Sequence, residues 1–474
     1  MKILLDPRMR QRGSVLVVTL IITFIVGVTL ASYLIMTSGQ NLSVVRSQTW
    51  NSAFALTEAG VEDALAMMNK YNGNFEMLPY WTNYASLTAD HWATLNPGVY
   101  HARRFIGADF YDVYITNFNN RPTIRSIGTI AWAPSYASAQ QGFLAVAGVS
   151  GQFGRTQLSR TVDVRTKVDP IFNFAMAAIN LIDLNGKNVS TDSFDSSNTN
   201  YSTGGVYDKN KAKDEGDVVT NDIITGALNV GNAKIKGVVK TGPEGTVDIG
   251  PNGSVGDNAW VTGGNHGVQD GHFADDMNVV WDPVILPSTS WLAVAGNASV
   301  LANYATNGTT YSYAFMQSGD YFLSGSSITK GLYVGPNVNV RLHVYTGDVN
   351  LVGGNDEIRI SSNSTLKIYM AGPSFSIGGK GVVNQSGNAA NFEYYGLPGN
   401  TELNYNANAS FTGAIYAPNA VFTLGGGGND TYDFVGASVS KSVKMSGHFR
   451  FHYDENLRNI GPGRGYILTD WKES

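Results

Sequence analysis

The sequence predicts an α+β N-terminal part, made of a long membrane-spanning helix and a small antiparallel sheet, followed by an all-β right-handed β-helix or β-solenoid. Three observations lead to this fold class. Residues 14–45 contain no charged side chain and are mostly apolar. Segments of alternating β-type residues follow between positions 99 and 168. Beyond position 170, short apolar segments recur between Gly-rich and Asn-rich turns.

The composition favours an extended β architecture over a compact enzyme. Charged residues make up 15% of the 474 residues, and glycine accounts for 54 of them. A net charge of −5 argues against a nucleic-acid partner, which would need a basic face. The chain has no cysteine, which excludes a Cys-based metal site and a thiol nucleophile.

The first 70 residues predict a leader and one retained helix. Residues 1–13 form a basic leader, which places the N-terminus in the cytoplasm. Residues 14–36 are long enough to span a bilayer. A secretory signal has a shorter apolar core, followed by a cleavage site of small residues. Because the apolar periodicity continues to Asn72-Gly73, we expect a transmembrane and amphipathic helix over 14–70.

Two stretches of this region carry a family resemblance. The segment QRGSVLVVTLIITFIVG, followed by AFALTEAGVEDALA, resembles the N-terminal domain of PilX-type minor pilins in the type IV pilin family. The resemblance implies that a prepilin peptidase cuts between Gly13 and Ser14. It also implies that the helix is kept as the spine of a filament of pilin or pseudopilin subunits. On this basis Val18, Phe24 and Glu58 are expected to take part in filament packing. For Glu58 the alternative is a solvated helix face.

Val18 departs from the family pattern. The resemblance places a glutamate at the fifth position of mature major pilins, and counting from Ser14 that position is Val18. A carboxylate in lipid is costly without a partner, so its absence removes both a cost and a device that sets register. Because no subunit lies above a tip subunit, the departure favours a tip or initiating role. The alternative is a plain signal-anchor helix that is never cut.

Residues 71–170 predict a small antiparallel β head that covers the second half of the helix. The turn-like segments Gly-Ala-Asp and Asn-Asn-Arg-Pro separate the first three of its strands. The expected strands are residues 99–106, 110–118, 123–133 and 159–168. His101, Arg103 and Arg104 are interpreted as the solvated face of the first of these strands.

Residues 171–457 predict the β-solenoid domain, and 458–474 a C-terminal tail. The segments GAIYAPNAVFTL and GASVSKSVKMSG begin 23 residues apart, and a period in the low twenties is typical of a solenoid. Gly and Asn are expected at corners with positive φ. The inward-facing residues are expected to include Ile415, Val421, Phe422, Leu424, Val435, Val439, Val443 and Met445.

Most of 175–457 also resembles an uncharacterised C-terminal domain that is often attached to PilX-type N-termini. The segments DSFDSSNTNYSTGGVYD, ISSNSTLKIYM and FRFHYDENL carry this resemblance, which implies an architecture but no activity. In the last segment, His452, Asp454 and Glu455 are expected to finish the final coil and block further stacking.

The best local candidate for chemistry is the segment NHGVQDGHFADDMNVVWD. Its His266, His272, Asp275 and Asp276 offer ligand atoms for a divalent metal. Their spacing matches no known signature, and Asp is an ordinary turn residue, so no metal site is predicted. The chain lacks a phosphate loop, GxSxG and HExxH. We therefore expect no catalytic residues, no cofactor and no enzyme activity.

Together these observations predict a minor type IV pilin-like structural subunit that acts in pilus assembly or adhesion. It would span the inner membrane once with a cytoplasmic N-terminus. After assembly it would lie at the cell surface, in a pilus or in the periplasm, where the solenoid would contact a surface glycan or another cell. Two alternatives stay open: an uncut membrane-anchored envelope scaffold, and a polysaccharide-active enzyme built on a β-helix.

Overall fold

The computed structural model describes residues 11–70, 90–96, 98–116, 121–133, 156–325, 327–426, 430–460 and 463–473. A long apolar N-terminal helix is followed by a largely β chain. The described residues divide into two compact units. Unit 1 comprises the residues up to Lys70, those from Asp90 to Val168 and those from Tyr466 onward, and unit 2 comprises Asp169–Gly465.

Unit 1 begins with helix α1 (Gln11–Met68), which has 58 residues and a length of about 87 Å. Its bounds agree with the predicted helix to within one turn. Every described residue from Val15 to Met36 is exposed. From Ala53 onward, one face of α1 is buried at helical spacing. That buried face comprises Ala53, Leu56, Thr57, Gly60, Val61, Ala64, Met67 and Met68.

A six-stranded sheet completes unit 1, in the order β1-β2-β3-β4-β5-β33. Its first five strands are antiparallel neighbours. The strands are β1 (Ala93–Asn96), β2 (Val99–Ile106), β3 (Asp109–Thr116), β4 (Thr123–Ala133), β5 (Thr156–Pro170) and β33 (Gly463–Glu473). The middle of the sequence thus forms the predicted antiparallel sheet, although residues 117 and 118 lie outside the described residues. Most of the segment set apart as a tail forms β33, at the sheet edge beside β5.

Small residues bring α1 close to β4. A Cβ atom on Gly128 would lie 2.3 Å from the carbonyl oxygen of Ala53, and one on Gly60 would lie 2.2 Å from Oγ of Ser126. The amide of Gly128 also donates a hydrogen bond to Oγ1 of Thr57, at 3.2 Å. The sheet therefore covers the second half of α1 through contacts that a larger side chain would prevent.

Among the described residues, unit 2 contains the remaining strands, two short α-helices and two 3-10 helices. The α-helices are α2 (Asn258–Thr262) and α3 (Leu457–Ile460), and the 3-10 helices are Lys209–Lys211 and Ala389–Asn391. The strands are β6 (Met176–Ala178), β7 (Ile182–Asp183), β8 (Ser190–Phe194), β9 (Val218–Thr220), β10 (Leu228–Gly231), β11 (Lys234–Lys236), β12 (Val239–Lys240), β13 (Val247–Ile249), β14 (Ser254–Gly256), β15 (Gly267–Val268), β16 (Phe273–Ala274), β17 (Leu292–Ala293), β18 (Val300–Thr306), β19 (Thr309–Phe315), β20 (Gly319–Leu323), β21 (Gly331–Val334), β22 (Asn339–Val344), β23 (Val349–Leu351), β24 (Glu357–Ile360), β25 (Thr365–Met370), β26 (Ser374–Ile377), β27 (Gly381–Asn384), β28 (Phe392–Gly396), β29 (Glu402–Tyr405), β30 (Phe411–Leu424), β31 (Tyr432–Met445) and β32 (Phe449–Asp454).

Parallel pairing organises unit 2 into ladders. The first ladder runs β17–β20–β22–β25–β28–β30–β31–β6–β9–β12–β16. The second runs β23–β26–β29–β30–β31–β7–β10–β13. The third runs β31–β32–β8–β11–β14–β15. A fourth, β19–β21–β24–β27, is preceded by the antiparallel hairpin β18–β19.

The order of strands along the ladders differs from their order in the chain. The early strands β6, β7 and β8 pair with the late strands β31 and β32. From there the chain proceeds to one end of the first ladder at β16, and β17 lies at the opposite end. We call the contact of β31 and β32 with β6, β7 and β8 the junction. The expectation that His452, Asp454 and Glu455 block further stacking is wrong, because β32 pairs along its length with β8.

In-register pairing stacks aromatic rings in the interior of unit 2. Phe434 lies between Phe411 and Phe451, with ring centroids 4.4 and 4.2 Å away. Of the expected inward-facing residues, six lie in the core of unit 2. Val421 is wrong, because its side chain is 39% exposed. Val435 is buried but lies outside that core, on the strand face opposite to Phe434. Val421 and Phe422 are neighbours on β30, and successive side chains on a strand point to opposite faces.

Asparagine occupies tight corners of the ladders, as the sequence predicts. Asn337 and Asn363 have φ values of 59° and 57°, and their side chains lie 3.4 Å apart. The sequence spacing between paired residues varies: it is 19 for Leu228 and Val247 but 28 for Phe375 and Leu403. The repeat is therefore less regular than the expected constant period in the low twenties, although several pairs keep that spacing.

The close approach of α1 and β4 gives a first prediction. We expect Gly128→Ala to destabilise the protein by about 1–3 kcal/mol, because its Cβ must displace the α1 backbone. The measurement is urea unfolding of the full chain in detergent micelles. Gly39→Ala is the matched control, because a Cβ at that helical position meets no atom within 4 Å. Equal stability of the Gly128→Ala variant and the unchanged protein would contradict this packing.

Candidate functional site

The first half of α1 is the largest apolar surface that the described residues leave uncovered. Phe24 is 70% exposed, Leu16 67% and Val18 52%. No acidic or basic residue occurs before Arg46 in the run that begins at Ser14. Among the described residues, α1 is the one helix long and apolar enough to cross a membrane. The stretch Val15–Met36 measures about 33 Å along the helix, close to the thickness of a bilayer core.

The hydroxyl groups of threonines in α1 donate hydrogen bonds to backbone carbonyl oxygens of the same helix. Oγ1 of Thr19 donates to the carbonyl of Val15 at 3.0 Å, and Oγ1 of Thr23 donates to that of Thr19 at 2.8 Å. Thr29 and Thr37 make equivalent bonds to the preceding turn. A hydroxyl that is bonded to its own helix needs no water, so these residues are compatible with an apolar surrounding.

The sequence-predicted processing and packing residues all lie on α1. Gly13 and Ser14 fall in its first turn, where the backbone is described but the side chains are not. Val18 and Phe24 project from the exposed apolar half. Glu58 is exposed, whereas Thr57 beside it is buried, so Glu58 faces away from the sheet of unit 1.

The four weak metal candidates do not form a metal site. His266 and Asp275 are exposed. Nδ1 of His272 lies 2.9 Å from the carbonyl oxygen of Gly237, and Asp276 pairs with Lys240 at 3.3 Å. Within the described residues, no group of three or more His, Asp or Glu side chains is placed to hold a metal ion.

The junction contains a buried charged cluster that the sequence did not predict. His452 on β32 is hydrogen-bonded through Nδ1 to Asp192 of β8, at 2.5 Å, and through Nε2 to Asp433 of β31, at 3.2 Å. The hydroxyl of Tyr207 donates to Asp192 at 2.9 Å, and its ring stacks on His452 with centroids 3.7 Å apart. Arg450 donates from Nε to Asp433 at 2.8 Å.

The carboxylates around His452 favour its charged form. Burial lowers the pKa of His452, but the hydrogen bonds and charges of Asp192 and Asp433 outweigh it and hold that pKa above its usual value. For Asp433, burial raises the pKa, while His452 and Arg450 together bring it below its usual value. The cluster therefore joins early and late strands through charge-assisted hydrogen bonds.

A second polar group holds the same junction. The carboxylate of Glu455 accepts a hydrogen bond from Oγ of Ser193 at 2.7 Å and pairs with Lys213. Arg458 donates to Glu215 at 2.6 Å. The sequence gives no signal for these contacts, because they join residues more than 240 positions apart.

Part of unit 2 matches a known domain family. Residues 285–460 match the model of a domain family of unknown function, DUF7305, and this range covers β17 to α3. No curated protein matches the chain. Among solved structures, the competence-associated pilin ComZ from Thermus thermophilus is similar, with a TM-score of 0.27 and 10% identity, over 90% of this chain and 97% of that one.

The cluster predicts a pH-dependent stability. A raised His452 pKa means that its contribution is complete below the unfolded value, about 6.5, and is lost as the pH rises through the folded value. The lowered pKa of Asp433 acts in the opposite direction: its contribution is present above about 4 and is lost as the pH falls further. We expect urea unfolding to give maximal stability between these two limits.

His452→Gln tests the assignment of this pH dependence. The variant should lose about 3 kcal/mol at pH 6, because it leaves the Asp192 carboxylate without a cation, whereas Asp433 keeps Arg450. The decline in stability above pH 6.5 should also disappear. His266→Gln removes an exposed imidazole and should change neither property. An unchanged decline in the His452→Gln variant would assign the pH dependence to another group.

Proposed function

We propose that this chain is a minor, pilin-like structural subunit, held in the inner membrane by α1 and assembled there with other pilin or pseudopilin subunits. The observation that carries the proposal is the division of α1 into two halves. Residues Val15–Met36 are exposed and apolar, while the half from Ala53 to Met68 is covered on one face by an antiparallel sheet. The exposed half needs lipid or other apolar helices around it.

The continuity of α1 supports its retention. The helix runs without interruption from Gln11 to Met68, so a cut directly after the apolar run would divide a single helix. A cut by a prepilin peptidase between Gly13 and Ser14 would remove the basic leader and keep the rest of α1 intact. The basic leader supports a cytoplasmic N-terminus. The residues that follow the membrane-spanning part of α1 would then lie on the far side of the inner membrane.

Val18 supports a tip or initiating position in the filament. It places an exposed apolar side chain where the resemblance implies a glutamate in major pilins. The subunit then gains no charged contact with a neighbour above it. Val18 and Phe24 would pack against apolar partner helices, and Glu58 would lie at the subunit surface.

We also propose that unit 2 is a right-handed β-solenoid. It would act in adhesion by contacting a surface glycan or another cell. The parallel, in-register ladders support the solenoid. A structural role is favoured over catalysis, because hydrogen bonds and ion pairs engage the carboxylates gathered at the junction. We propose no cofactor and no enzyme activity. Activity of the purified chain on acidic polysaccharides would instead favour the enzyme alternative.

The N-terminus of the mature protein tests the proposal. In membrane and sheared surface fractions, mass spectrometry should find a chain that begins at Ser14. Gly13→Val should leave the leader in place and remove the protein from the sheared fraction. Gly27→Ala is the control on the same helix, because a Cβ there meets no atom within 4 Å. An intact leader in both fractions of the unchanged protein would overturn the proposal and favour the uncut envelope scaffold.

A further inference from the structure

A cavity of about 620 Å³ opens beside the charged cluster of unit 2. Its volume lies in the range of small-ligand sites. The walls come from β8, β11, β31 and β32, together with the segment between β8 and β9. Its lining includes Asp192, Val206, Asp208, Lys209, Lys236 and His452. We call this cavity the junction pocket.

The acidic side chains of the junction pocket are already neutralised or hydrogen-bonded. Asp192 and Asp433 share His452, and Asp433 also pairs with Arg450. Asp208 accepts from Thr203 Oγ1 at 2.8 Å and from the amide of Asn210 at 3.0 Å. None of these three carboxylates is left without a partner.

The charged groups of the pocket that have neither an ion-pair nor a hydrogen-bond partner among the described residues are two lysine ammonium groups. Within the described residues, the ammonium groups of Lys209 and Lys236 make no hydrogen bond or ion pair. Lys209 is exposed and Lys236 is half-buried. An ammonium group is a flexible donor of three hydrogen bonds and suits a carboxylate or another anionic group.

The pocket also offers acceptors and one apolar contact. A carboxylate has about four lone-pair sites, so Asp208, which accepts two of the hydrogen bonds described above, can still accept from a hydroxyl group. The side chain of Val206 is 42% exposed and offers an apolar surface. A matching ligand carries negative charge, several hydroxyl groups and some C–H surface.

We infer that the junction pocket binds an anionic oligosaccharide, whose carboxylate is held by Lys209 and Lys236 and whose hydroxyl groups bond to the polar walls. This inference rests on the proposed adhesive function and names the ligand class for it. A simple inorganic anion would not use the acceptors, and a neutral sugar would leave the two lysines unpaired. The net charge of −5 opposes a long polyphosphate.

Calorimetric titration of the full chain in detergent micelles tests the inference. The probes are tetrasaccharides of galacturonate, mannuronate and glucuronate, each compared with its methyl ester. At least one acid form should bind, and its ester should bind about tenfold more weakly, because the charge-assisted hydrogen bonds are lost. Equal binding of acid and ester, or no binding of any acid form, would overturn the inference.

Variants locate the binding site. Lys209→Ala combined with Lys236→Ala should weaken binding of the acid form about tenfold or more. Lys330→Ala combined with Lys380→Ala removes the same charge from exposed positions outside the pocket and should change affinity less than about twofold. Unchanged affinity in the pocket variant would overturn the assignment. A thermal melt of each variant confirms that the fold is kept.

Two further outcomes have definite meanings. Inorganic phosphate at the same concentration should not displace the tetrasaccharide; displacement would identify a simple anion site and overturn the inference. The titration does not depend on the leader. If the chain keeps Met1 in cells and still binds the tetrasaccharide, the ligand inference is supported and the filament proposal is overturned. If the chain is cut after Gly13 but does not bind, the filament proposal is supported and the ligand inference is overturned.

Discussion

The apolar surface of α1 is the constraint on which the rest of the molecule depends. One helix of 58 residues carries an exposed apolar half and a half with one buried face. The buried face can exist only because Gly60 and Gly128 let the sheet approach the helix backbone. The exposed half has no such cover within the described residues, and burial of apolar area is the main favourable term in both insertion and assembly. Lipid and neighbouring apolar helices can both meet this requirement, and the proposed function asks both of α1 in turn.

Unit 2 solves a different problem. Stacked parallel strands bury one another, yet the chain enters the stack in its middle and not at an end. Early and late strands must therefore find each other across about 260 residues. Apolar contacts alone specify register weakly, because a parallel ladder can slip along its repeat. The His452 and Glu455 groups bond to particular partners on β8 and beside it, so they fix which strands meet.

The sequence predicted the elements better than their arrangement. Local periodicity of apolar residues predicts the helix, the main strands of the small sheet and the β-rich remainder. The pairing of β32 with β8 leaves no local trace in the sequence, so local patterns predict that His452 lies at an end of the stack, whereas the structure places it in the middle. Val421 failed for a simpler reason: it sits beside Phe422, and only one of two neighbours on a strand can face inward. The sequence could not predict the junction pocket either, because its walls come from segments near both ends of unit 2.

The account requires that lipid or other apolar helices surround the exposed half of α1 in the cell. Because the chain has no cysteine, a single one can be introduced and followed without background. Phe24→Cys and Glu62→Cys place a thiol on the exposed apolar half and on the solvated face of the second half. In intact membranes, a charged maleimide should label the second variant and reach the first only after detergent is added. Equal labelling of both variants without detergent would contradict the account.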